Sequence, residues 1–107
     1  MSALQPLVVT LVQGATRWHD AEANREYYGG LVRAHAGATD LFVLPETFLS
    51  GFSNDTRVSA ETMDGSGVAW LRALATEVGA TITGSLAIRE GETVYNRLLW
   101  AAPYGDL

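Results

Sequence analysis

Cysteine and lysine are both absent from this sequence of 107 residues. Without cysteine, the chain has no disulfide framework, no cysteine-rich zinc site and no thiol nucleophile. Without lysine, it has no Schiff-base amine and no P-loop, whose phosphate cradle needs a lysine after its glycines. All seven basic residues are arginines, and twelve acidic residues bring the formal net charge to −5. The composition therefore excludes thiol and amine catalysis by the side chains of this chain.

The acidic balance and the short apolar runs also limit the partners. Basic patches dominate surfaces that bind nucleic acids or anionic membranes, so we expect neither partner. The longest apolar run, Leu7–Val12, is interrupted by Thr10 and is far too short to span a bilayer. The first residues lack the basic start and long apolar core of a signal peptide. We therefore expect a cytoplasmic protein, and the length suits one domain over residues 1–107.

Alternating strand and helix patterns predict an α/β fold with the order β-α-β-α-β-β. The predicted strands are Leu7–Val12, Leu41–Leu44, Ala80–Ile88 and Val94–Ala102, and the predicted helices are Ala21 to about Ala36 and Ser66–Val78. The first strand is a nearly continuous apolar run, which is typical of parallel strands buried on both faces, and the second is a short buried strand. A hairpin-like loop joins the last two strands. Residues 46–65 show no regular pattern and are predicted to be irregular.

Capping residues and glycines mark the first helix. His19 or Asp20 is expected to cap its start, and Gly37 to close its end. The pair Gly29-Gly30 weakens the prediction, because each glycine inside a helix costs about 1 kcal/mol relative to alanine. Close approach of this helix to the sheet would explain why they are tolerated. His35 falls on the apolar face of this helix, which favours a hydrogen-bonded packing histidine.

Glu46 is the candidate catalytic residue. It follows a buried strand that Pro45 stops, and it enters a loop containing Phe48 and Phe52. Ligands of open α/β sheets bind beyond the carboxyl ends of the parallel strands, where Glu46 falls. Apolar surroundings raise the pKa of a carboxyl group, as a general acid or base near neutral pH requires. A solvated turn carboxylate, or a cap for the next segment, is the alternative interpretation.

The other polar candidates have simpler interpretations. Gln13, after the first strand, is favoured to satisfy backbone groups of its loop rather than to contact a substrate. Asn96, inside an apolar strand, is interpreted as a buried hydrogen-bonding group near the site. His19 and His35 show no metal-ligand spacing with Asp20 or Glu46, so no metal site is expected. The glycines form no GxGxxG motif, so dinucleotide binding has no support.

Several segments together resemble the nitrilase superfamily, the carbon–nitrogen hydrolases. Those segments are Leu44-Pro45-Glu46-Thr47-Phe48 and Ser50-Gly51-Phe52; Gln13, Trp18, Asp20 and Asn24; Met63-Asp64-Gly65, Trp70-Leu71 and Gly84-Ser85-Leu86; and Tyr95-Asn96-Arg97 with Pro103-Tyr104-Gly105. They occur in the family's order over nearly the whole chain. The loop after Glu46 and the segment at 63–65 look most like the omega-amidase branch, which hydrolyses amides of 2-oxo dicarboxylic acids.

The resemblance implies the amino-terminal portion of an α-β-β-α sandwich and a Glu-Lys-Cys mechanism. In it Glu46 would be the general base, a lysine would stabilise the oxyanion, and a cysteine would attack the amide to form a thioester. The substrate would be a small-molecule amide, hydrolysed without a cofactor, and the whole protein would be a homodimer. The lysine and the cysteine have no counterpart here, and Arg97 precedes the turn that the family's lysine follows. We therefore expect an amino-terminal segment of a longer enzyme, inactive alone, with a sheet edge and a helix face exposed.

Two non-enzymatic interpretations remain. A complete small α/β module without catalysis would bind a partner through its open sheet edge. A flavodoxin-like binding domain would carry a cofactor, although the sequence has no phosphate-binding motif.

Overall fold

Helices on one side of a mixed sheet form the architecture of this chain. A computed structural model describes residues 4–107. The elements are β1 (Val9–Leu11), α1 (Ala21–Ala34), β2 (Leu41–Val43), α2 (Thr56–Ser59), α3 (Ser66–Val78), β3 (Thr81–Glu90) and β4 (Thr93–Ala101). The sheet order is β1-β2-β3-β4, with β3–β4 antiparallel and the other two pairings parallel. The α/β class and the order of the predicted elements are confirmed, and α2 is added within the segment predicted to be irregular.

Local signals set the ends of the two long helices. The Asp20 side chain caps α1 by accepting a hydrogen bond from the N–H of Ala23 at 3.1 Å. This helix ends at Ala34, two residues before the predicted end, and Gly37 follows it with φ +88°. The bounds of α3 are those predicted, and Gly79 closes it in the left-handed conformation, with φ +68°.

The carboxylate of Glu61, a residue that precedes α3, caps the amino-terminal end of this helix. Its two oxygens accept hydrogen bonds from the N–H groups of Val68 at 2.9 Å and Gly67 at 3.2 Å. These are free helix N–H donors at the positive end of the helix dipole, where a carboxylate is favoured. A Cβ at Gly67 would lie 2.4 Å from the Leu49 side chain and 2.6 Å from the Glu61 carboxylate, so a larger residue would have to displace both. The Glu61 backbone also pairs with β3, which fixes the helix start against the sheet.

The core lies between the helices and one face of the sheet. Its largest fully buried side chains are Tyr28, Phe42, Phe48, Leu71, Leu74, Ile82, Ile88 and Val32. Gly29 lets α1 approach α3 rather than the sheet, because a Cβ at this position would lie 3.4 Å from the Trp70 ring. A Cβ at Gly30 would meet no atom within 4 Å outside the neighbouring backbone of its own helix. The expectation of a close helix-to-sheet contact at this pair is therefore wrong.

The opposite face of the sheet carries exposed apolar side chains. Strand register places Val9, Leu11, Val43, Leu98 and Trp100 on this side, which we call the open sheet face. The exposed fraction is 75% for Leu11 and 69% for Leu98. Burial of β1 on both faces was predicted and is wrong for this chain, because β1 is an edge strand and no layer covers this side within residues 4–107. The sheet edge is exposed as expected, but the apolar surface belongs to a sheet face rather than to a helix face.

Within residues 4–107, each helix falls short of the length or the apolar content that crossing a bilayer requires.

Candidate active site

Glu46 lies just past the carboxyl end of β2. The N–H of Leu44 still donates to the carbonyl of Thr83 at 2.8 Å, and Pro45 then ends the pairing. The carboxylate is exposed and borders a depression of about 240 Å³ lined by Leu44, Glu46, Ser85, Asn96 and Leu98. This depression opens on the same side as the open sheet face, since Leu98 belongs to both. The candidate base is therefore accessible.

The aromatic surroundings expected for Glu46 are not present in this part of the chain. Phe48 is fully buried on the helix side of the sheet, whereas Phe52 is 74% exposed. Neither ring lines the depression that Glu46 borders. The loop turns its apolar side chains into the core and leaves the carboxylate in a mixed polar and apolar setting.

Asn96 on β4 is the residue that contacts the Glu46 carboxylate. Its Nδ2 donates a hydrogen bond to Oε1 at 2.6 Å. The sequence predicted a hydrogen-bonding group near the site, and Asn96 is there. Its predicted burial is wrong, because Asn96 is exposed on the uncovered side of an edge strand.

The backbone after Glu46 takes an uncommon conformation. Thr47 has φ +47°, which a β-branched residue rarely adopts. The N–H of Thr47 donates to Oγ of Ser85 at 2.8 Å, and its carbonyl accepts from the N–H groups of Ser50 and Gly51 at 3.2 and 2.9 Å. These contacts fix the turn that presents Glu46. The sequence did not predict this contact of Ser85, because the residue pattern of β3 does not show which loop packs against the strand.

Replacing Ser85 with alanine is expected to lower the free energy of unfolding by about 1–3 kcal/mol. Both Ser85 and Thr47 are buried, so the Thr47 N–H would lose its partner without gaining water. Urea unfolding measures the change. Ser66→Ala, at the exposed first residue of α3, is the matched control and should stay within about 0.5 kcal/mol. Equal losses in the two variants would contradict the assignment.

Asn24 joins the Glu46 loop to the passage between β1 and α1. It is fully buried on α1, and its Nδ2 donates to the carbonyls of Arg17 and Leu49 at 2.8 and 2.9 Å. Its Oδ1 accepts from the N–H of Arg17 at 2.7 Å. One side chain thus ties together the two loops that leave the carboxyl ends of β1 and β2.

The remaining sequence candidates lie apart from Glu46. Gln13 borders a different depression, beside Thr10 and His35. His35 hydrogen-bonds the Leu31 carbonyl at 2.9 Å but is exposed, so its predicted packing role is wrong. His19 has φ +51° and its Nε2 lies 2.5 Å from Oγ of Ser53. Among residues 4–107, no three His, Cys, Asp or Glu side chains are grouped to hold a metal ion.

Comparison with known proteins places this geometry in a family context. The sequence model of the carbon–nitrogen hydrolases ("Carbon-nitrogen hydrolase") matches residues 8–107. The omega-amidase YafV of Escherichia coli K12 is 34% identical over 101 residues, which cover 94% of this chain and 39% of the relative. This chain thus spans about two fifths of the length of the curated relatives it matches, as their amino-terminal part.

Two solved structures extend the likeness to the fold. A CN-hydrolase superfamily protein of Xanthomonas campestris, with an arsenic adduct in its active site, is 54% identical with a TM-score of 0.91. The match covers 96% of this chain and 39% of that one. Nit3 of Saccharomyces cerevisiae, from branch 10 of the nitrilase superfamily, is 26% identical with a TM-score of 0.81, over 94% of this chain and 41% of that one. The sheet and helices described here therefore match part of each of these two chains.

Proposed function

This chain belongs to the carbon–nitrogen hydrolase family, and on that premise we propose that it supplies Glu46 as the general base of an amidase. The observation that carries the proposal is the accessible carboxylate at the carboxyl end of β2, in a depression beside Asn96. A base needs access to the proton it takes, and Glu46 has it. The resemblance of Leu44–Phe48 to the family's first catalytic segment supports the same role.

The proposed reaction divides amide hydrolysis into two steps. Glu46 takes the proton of a cysteine thiol, the thiolate attacks the amide carbonyl, and a lysine stabilises the tetrahedral oxyanion. The proton passes to the leaving nitrogen, ammonia departs, and a thioester remains. Glu46 then takes a proton from water, which attacks the thioester and releases the carboxylic acid and the thiol.

The lysine and cysteine of this mechanism are assigned to residues outside this sequence. Neither residue type occurs among its 107 residues, and the chain corresponds to 39% of the length of its curated relative. We propose that residues 1–107 form the amino-terminal segment of one hydrolase domain. The remaining segment would add a second sheet against the open sheet face and so complete the α-β-β-α sandwich. Exposed Leu11, Leu98 and Trp100 support this arrangement, since large apolar patches on a sheet normally pack against a second layer.

The proposed substrates are the ω-monoamides of 2-oxo dicarboxylic acids. Relatives at 34% and 32% identity, from Escherichia coli and Yersinia enterocolitica, bear the name omega-amidase. Such a substrate carries a carboxylate, which a cationic side chain would bind. None of the five residues that line the depression at Glu46 is cationic, so this partner is also assigned to the remaining segment.

The complete protein is expected to release ammonia from a 2-oxo dicarboxylic acid monoamide, and the 107-residue chain to release none. Two of its three catalytic groups would be missing, so the thioester could not form. Ammonia release measures turnover, and added hydroxylamine should intercept the thioester as a hydroxamate. The monoamide of the corresponding dicarboxylic acid without the 2-oxo group is the matched substrate control. Turnover by the 107-residue chain would overturn the assignment of two catalytic roles to the remaining segment, and an inactive complete protein would favour a binding module.

A further inference from the structure

Within residues 4–107, one hydrogen bond orients the carboxylate of Glu46. Its side chain is exposed within residues 4–107, so packing against these residues does not hold it in one rotamer. A catalytic carboxylate must nevertheless meet its proton in a defined geometry, because misplacement by about 1 Å costs roughly 100-fold in rate. Within residues 4–107, the hydrogen bond from Asn96 to Oε1 is the contact that limits its movement.

Asn96 stands on a rigid support. It lies in the middle of β4, where it pairs with Ala87 of β3 in a continuous antiparallel register from Ile82–Ala101 to Glu90–Thr93. The same strand β3 supplies Ser85, whose Oγ accepts from the Thr47 N–H. The β3–β4 hairpin thus holds the Glu46 region at two points, the following peptide through Ser85 and the carboxylate through Asn96. Sites on strands are held more precisely than sites on loops alone.

The chemistry of the Asn96 amide suits this task. The amide nitrogen must face Glu46, because the amide oxygen would oppose a second acceptor. An amide does not titrate, so it neither competes for the proton that the base takes nor supplies one. The contact uses Oε1, and within residues 4–107 no protein donor occupies Oε2. One carboxylate oxygen is therefore anchored and the other is free to accept a proton.

We propose that Asn96 is a positioning residue that holds Oε1 of Glu46 and leaves Oε2 free for proton transfer. This inference rests on the proposed role of Glu46 as the base. In this role Asn96 orients the carboxylate and takes part in no chemical step. It also explains why a polar residue lies on β4 beside Leu98 and Trp100 on the open sheet face.

The test compares substitutions at position 96 in the complete protein. Asn96→Ala removes the donor and should lower kcat about 10- to 100-fold with KM changed less than twofold. Asn96→Asp keeps the shape but sets a carboxylate against Glu46, so kcat should fall further than in the alanine variant. Asn96→Gln keeps the amide donor and should recover part of the loss. A side chain that mattered only for packing would give the opposite order, with aspartate close to the wild type and alanine worst.

Asn54→Asp makes the same chemical change in an exposed loop and should leave kcat unchanged. The thermal unfolding midpoint of each variant shows whether it folds. If Glu46→Gln is inactive while Asn96→Asp turns over like the wild type, the positioning role is wrong and the proposed function stands. If Glu46→Gln is itself active, the base assignment fails first.

Discussion

Replacing Glu46 with glutamine in the complete protein is expected to lower kcat about 10²- to 10⁴-fold, the range that general acid–base catalysis supplies. Glutamine has nearly the same shape but accepts no proton at neutral pH. Its amide oxygen can still accept the Asn96 hydrogen bond, so the fold should persist. Ammonia release measures the loss, and the thermal unfolding midpoint should change little.

A second acidic residue provides the control for charge. Glu92 is exposed in the turn between β3 and β4, and Glu92→Gln removes the same charge without touching the depression. Its kcat should equal that of the wild type. Near-normal turnover of Glu46→Gln would refute the general-base role. A rise in turnover with Glu46→Asp, which only withdraws the carboxylate, would also count against it.

Replacing Phe48 with alanine is expected to lower the free energy of unfolding by about 3–5 kcal/mol, since it leaves a cavity in the core. Phe48 is fully buried. Its ring meets Tyr28 of α1 edge-on, with centroids 6.0 Å apart, and lies 5.9 Å from the Trp70 ring of α3. It also packs against the backbone of β3, since a Cβ at Gly84 would lie 3.0 Å from the ring. One side chain thus joins two helices, the sheet and the loop that carries Glu46.

Phe52, four residues further along the same loop, is the matched control. Its ring is 74% exposed, so Phe52→Ala should change the free energy of unfolding by no more than about 0.5 kcal/mol. Urea unfolding of both variants measures the difference. Similar values for the two would mean that Phe48 does not connect the loop to the core as the structure indicates.

Sequence patterns predicted most of the elements of this fold. Apolar runs located β2, and helical spacing gave the bounds of α3. Burial was harder to predict. The run that contains β1 is as apolar as a central strand, yet its position at the sheet edge depends on strands elsewhere in the chain.

The sequence predicted the central residue of the candidate site, but not the contacts that hold it in place. Glu46 stood out because Pro45 stops a buried strand directly before it. Ser85 did not, since its partner Thr47 is 38 residues away in the chain. The sequence marked Asn96 as unusual but gave its burial wrongly, because burial depends on which face of the sheet is covered. Contacts across the sheet are set by three-dimensional register, which periodicity along one strand does not contain.

The hydrogen bonds of Asn24 have a consequence for motion. Its buried side chain binds backbone groups of Arg17 and Leu49, so neither loop can leave its place without stranding polar groups away from water. The two strand-to-helix passages therefore form one mechanical unit. A displacement of the loop that carries Glu46 is therefore expected to carry the passage near Arg17 with it.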